Sequence, residues 1–154
     1  TGDIDVVEFN CRFGDPEAQP VMMRLQSDLV DHCLAAVNGT LDSQTAQWDS
    51  RRAVGVVLAA GGYPEAYASG AVISGLDVLP DSAQAKVFHA GTKLDGDKVV
   101  TSGGRVLCAV ALGDSVAQAQ TSAYELVRAI EWKDVYFRQD IGYRAIAREQ
   151  NQAD

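Results

Sequence analysis

The chain has 154 residues, 47% hydrophobic and 22% charged, enough for one globular domain or for one domain and part of a neighbour. Its 13 Lys and Arg against 21 Asp and Glu leave a net charge of −8. That excludes a general nucleic-acid backbone binder, which needs a basic footprint, though not a local basic pocket. The longest apolar stretches, such as residues 54–60, fall far short of the roughly 20 residues of a membrane helix, so no membrane partner is expected. Cys11, Cys33 and Cys108 are odd in number and show no CxxC spacing. This argues against a disulfide framework or a zinc site and for a cytoplasmic location, as does the lack of a basic-then-apolar leader. The chain opens on Thr1 just before an apolar strand and reads as a piece of something longer.

Residues 4–11 (IDVVEFNC) read as a buried strand ending in Arg12-Phe13-Gly14, where glycine permits a sharp turn. Asp15-Pro16-Glu17 is a helix-start signal, with Asp15 more plausibly a cap than an acid or base. A second start at Ser27-Asp28 precedes Leu29, Cys33, Ala36 and Val37 at helical spacing, and Asn38-Gly39 closes that helix. Residues 41–50 are polar and aperiodic, the best candidate for a boundary. Beyond them come a strand at 53–60 stopped by Gly61-Gly62-Tyr63-Pro64, and a weaker strand at Val72-Ile73. Two more, 86–90 and 98–101, flank a hairpin-type turn at 94–97, and a further strand follows at 105–112. Ser115 opens a helix with Gln118 at capping-box spacing, and Val116, Ala119, Ala123, Val127 and Ile130 form one apolar stripe. Residues 143–150 read as a short last helix.

Glu8, Asn10 and Arg12 stand at i, i+2 and i+4, which on a strand points all three to one face. A carboxylate and an amide oxygen there suit a hard cation such as Mg²⁺, and the Arg12 fork suits a carboxylate or phosphate. The bland alternative is a solvated strand face. Lys93 and Arg105 each follow glycine-rich sequence at a strand end, where an anion can come close, or else they are merely solvated. Gly61-Gly62 is a turn rather than a phosphate loop, since Tyr-Pro and no Lys-Ser/Thr follows. His89 reads as a hydrogen-bonded structural residue, His32 as solvated, and Met22 and Met23 as packing. Cys33 and Cys108 read as small hydrophobes, and Cys11 lies opposite the metal face.

The run from Glu8 through Arg12-Phe13-Gly14-Asp15-Pro16-Glu17 to Pro20 closely resembles the signature of the phosphoribosylamine–glycine ligase family. Its RFGDPE core is specific to that family, whereas the E-x-N pair is shared by ATP-grasp enzymes generally. Ala59-Ala60-Gly61-Gly62-Tyr63-Pro64, Val87-Phe88-His89-Ala90-Gly91-Thr92, Gly103-Gly104-Arg105-Val106 and Arg138-Asp140-Ile141-Gly142 resemble the family's C-terminal portion. The resemblance implies an α+β architecture. Residues 1–46 would be the closing strand and helices of an ATP-grasp domain, and 47–154 a β-rich, barrel-sandwich-like (rudiment single hybrid) domain. It further implies a purine-biosynthetic ligase that joins glycine to 5-phosphoribosylamine at the expense of ATP, through a glycyl phosphate. By the same token Glu8 and Asn10 would hold Mg²⁺ or Mn²⁺, Arg12 would stabilise the acyl phosphate, and Arg105 and Lys93 would hold the ribose phosphate. The chain alone would be inactive; the contrasting possibility is a stand-alone, non-catalytic interaction module.

Overall fold

The computed structural model describes residues 8, 11–14, 16–80 and 82–151. Helix α1 (Ala18–Arg24) follows a turn in which the Gly14 amide donates to the Glu17 carboxylate at 2.7 Å, so Glu17 braces the turn rather than capping the helix. Asp15 lies outside the described residues, as does most of the strand expected at 4–11. Its described members, Glu8 and Cys11, lie in no strand. Helix α2 (Leu29–Val37) starts where the sequence says: the Asp28 carboxylate accepts the Val30 amide at 2.7 Å. It ends in a Schellman motif, with Gly39 at φ +68° and the Thr40 and Gly39 amides donating to the Ala35 and Ala36 carbonyls. Within α2 only Ala35 is buried; Cys33, expected to pack as a small hydrophobe, is exposed.

Among the described residues five strands follow: β1 (Arg52–Ala59), β2 (Ala85–His89), β3 (Thr92–Asp95), β4 (Lys98–Thr101) and β5 (Arg105–Gly113). They form two antiparallel sheets, β1-β5-β2 and β3-β4. The hairpin expected between 86–90 and 98–101 therefore does not form. The turn joins β3 to β4 through Gly96, at φ +61°, and Asp97, while β2 pairs with β5. β3 escapes notice because Thr-Lys-Leu-Asp is short, with three polar residues of four, and almost wholly exposed. Val72-Ile73 forms only a bridge to β4, where the Ile73 amide donates to the Val99 carbonyl.

β5 is buried along nearly its whole length, the pattern of a strand covered on both faces. On one face, Val54, Val56, Leu58, Ala109 and Ala111 of the sheet pack with Ala119, Ala123 and Val127 of helix α3 (Val116–Ala129). On the other, α1 approaches closely: an added Cβ on Gly55 would stand 3.5 Å from both Pro20 and the Cys108 sulfur. The Ser115 hydroxyl accepts the Gln118 amide and caps α3, and the Gln118 side chain reaches back one residue further than a strict capping box, to the Asp114 amide. Helix α4 (Tyr143–Asn151) is tied on by Glu149, which accepts from both Arg52 and the Val116 amide. No helix among the described residues is long and apolar enough to cross a membrane.

Candidate functional site

Three glycine-bearing turns, far apart in sequence, meet at the start of β5. The Gly91 amide donates to the Arg105 carbonyl at 2.9 Å, and the Ser102 amide donates to the Gly91 carbonyl at 2.7 Å. A Cβ on Gly91 would stand 2.7 Å from the Gly103 Cα, so only glycine lets these two backbones cross. The 61–64 turn joins them through the Ala60 amide, which donates to the Gly104 carbonyl at 2.8 Å. Gly61 in turn has no room for a side chain beside the Asp134 backbone. This bears out Gly61-Gly62 as a turn.

Arg105 projects from this junction, exposed, with its guanidinium carbon 5.8 Å from the centroid of the Tyr63 ring. It helps line a cavity of about 260 Å³ together with Ala90, Val57, Leu107 and Cys108. The opposite wall is Phe13, Gly14, Pro16, Ala18 and Gln19. The structure thus brings the RFG turn of the first segment against Arg105, an adjacency that spacing in the sequence cannot express. Arg12, beside that wall, is exposed and donates from Nη1 to the Phe13 carbonyl at 2.9 Å. Burial pushes the Cys108 thiol up to about 11, which makes it a lining group and not a nucleophile.

The remaining sequence candidates fall elsewhere. Lys93 is the second residue of β3, opposite Val100 and exposed, rather than at a strand end. Glu8 is exposed; Asn10 lies outside the described residues. Among the described residues no group of three or more His, Cys, Asp and Glu could hold a metal ion. His89 hydrogen-bonds Thr92 at 3.0 Å, in keeping with a structural role, and His32 is not simply solvated but contacts the Ser27 hydroxyl at 2.7 Å. Arg138 and Asp140 pair with each other at 2.9 Å in a separate concavity. Their turn is clamped by the Tyr124 hydroxyl, which donates to the Arg138 carbonyl and accepts the Ile141 amide. What the sequence missed is Tyr63: the Gly-Gly-Tyr-Pro run marked a turn, and nothing in it marked the ring's partner.

The family model for the phosphoribosylglycinamide synthetase C domain matches residues 53–144, and the chain belongs to that family. Phosphoribosylamine–glycine ligase of Allochromatium vinosum is 61% identical over 150 residues, covering 97% of this chain and 35% of the relative. The ligase of the same name from Vibrio cholerae is 63% identical over 150 residues with the same coverage. The crystal structure of phosphoribosylamine–glycine ligase from Thermotoga maritima superposes with a TM-score of 0.67 at 31% identity, over 88% of this chain and 32% of that one. The chain spans about a third of the length of the curated relatives it matches.

Proposed function

We propose that this chain is the C-terminal part of an ATP-dependent phosphoribosylamine–glycine ligase of purine biosynthesis, and that the Arg105 cavity holds the phosphate of phosphoribosylamine. One observation supports this above the others: family-resembling segments from both halves of the chain converge on a single arginine at one cavity, with Gly14 in the wall it faces. A guanidinium fork matches a phosphate, and backbone without side chains lets the anion approach.

In the reaction a glycine carboxylate oxygen attacks the γ-phosphorus of ATP and the bond to ADP breaks, giving glycyl phosphate. The amine nitrogen of phosphoribosylamine then attacks the glycyl carbonyl carbon. The bond to phosphate breaks and the nitrogen gives up a proton. Anions must approach one another, so positive charge has to be held in place beforehand. Arg12 supplies it beside the acyl phosphate. Glu8 and Asn10 are the residues that would hold Mg²⁺ or Mn²⁺, and oxygen donors of this kind fit a hard divalent cation. Such an ion, when bound, offsets phosphate charge.

In this reading residues 1–46 close an ATP-grasp domain and 47–154 form a barrel-sandwich-like domain, the two small sheets being its strands. The parent works in the cytoplasm, in keeping with three unpaired cysteines. One wall of a nucleotide clamp does not bind nucleotide, so the isolated chain should show no ligase activity and no tight ATP binding by calorimetry. In the full-length ligase, Glu8→Gln and Asn10→Ala should each lower kcat by about 10²–10³ with folding intact. Wild-type turnover in both would overturn the metal assignment.

A further inference from the structure

We infer that Tyr63 is a positioning residue for Arg105, holding its guanidinium in the orientation that receives the substrate phosphate; this rests on the reading of Arg105 given above. A site that must grip a phosphate with a planar fork needs its guanidinium oriented beforehand. The face of the Tyr63 ring contributes to that: the guanidinium carbon lies 5.8 Å from its centroid, within the range of a cation–π contact.

The ring is packed on two sides and its backbone is anchored. Its Cδ2 edge lies against Gly104, so closely that an added Cβ would collide with it. Tyr67 packs on it with ring centroids 5.9 Å apart and planes tilted by 59°. Its backbone is hydrogen-bonded into the junction, the Tyr63 amide donating to the Ala60 carbonyl and the Ala60 amide to the Gly104 carbonyl. The residue before Arg105 therefore has to be glycine for the ring to reach Arg105 at all. The Gly-Gly-Arg and Gly-Gly-Tyr-Pro segments form one device in which the first supplies the cation and the second its platform.

The test uses two measurements. In this chain, the Arg105 side-chain NMR signals should carry a ring-current shift that Tyr63→Leu abolishes and Tyr63→Phe keeps. In the full-length ligase, Tyr63→Leu should raise the KM for phosphoribosylamine about 2- to 5-fold relative to the KM values for ATP and glycine. Tyr63→Phe should restore it, and adding Tyr63→Leu to Arg105→Ala should cost nothing further. Several outcomes overturn the inference: no ring-current shift, equal losses in the Phe and Leu variants, additive effects in the double variant, or a uniform rise in all three KM values with a lowered melting temperature. If Arg105→Ala raises the KM while Tyr63→Leu does not, the positioning role fails and the phosphate assignment stands. If Arg105→Ala itself leaves the KM flat, the phosphate assignment is what fails.

Discussion

Strand β5 and helix α2 are comparably apolar and of equal length, yet their surroundings differ completely. Every residue of β5 after Arg105 is buried, whereas in α2 Leu34 is 55% and Val37 85% exposed, and only Ala35 is buried. The sheet-and-α3 unit completes its own core, while α2 contributes almost nothing to it. Apolar pattern states which face wants cover; it does not state what supplies the cover. A fold can be well determined over one stretch of chain and depend on other contacts over the next.

Substitutions should separate the two regions sharply. Leu58 of β1, fully buried in the core that the sheet shares with α3, is expected to lose about 2–5 kcal/mol on truncation to Ala, read from the denaturant midpoint. A loss below about 1 kcal/mol would mean that this core is not the cooperative unit. The seam between the two regions should respond to acid. Asp49 is held down to about 2 from 3.8, chiefly by the hydrogen-bonded Arg51 side chain at 2.7 Å. A carboxylate lowered in the folded state stabilises it fully above its unfolded value, and that contribution fades as pH falls toward the folded value. Asp49→Asn should therefore melt below wild type at pH 5, with the gap closing between about pH 4 and pH 2. A gap that stays constant with pH would assign the loss to packing instead. The smallest effect belongs to α2: Leu34→Ala should stay within about 0.5 kcal/mol of wild type in this chain. A larger cost would show that α2 is buried in solution and break the comparison.

The same contrast explains what was legible in the sequence. The unbroken Val-Leu-Cys-Ala-Val-Ala-Leu run announces a strand, and Ser115 with Gln118 announces the start of α3, because both signals are local. Asp28 and Gly39 mark the ends of α2 for the same reason. β3 was illegible since its four residues carry no apolar alternation, and its pairing with β4 displaced the expected partner, β2. The site lay between these extremes. Arg105 and the RFG turn could be named from residue types and resemblance, but their meeting across one cavity depends on where α1 packs against the sheet. Tyr63 carries no chemical signal until the fold puts its ring beside a guanidinium.

The proposed phosphate role of Arg105 is tested most directly by steady-state kinetics of Arg105→Ala in the full-length protein, with each substrate varied in turn. A charge-assisted contact to a remote phosphate strengthens substrate binding without taking part in the chemistry. The KM for phosphoribosylamine should rise about 10-fold or more, with those for ATP and glycine nearly unchanged and partial recovery in Arg105→Lys, which keeps the charge but not the fork. Three flat KM values, or an equal change in all three with a lowered melting temperature, would contradict it.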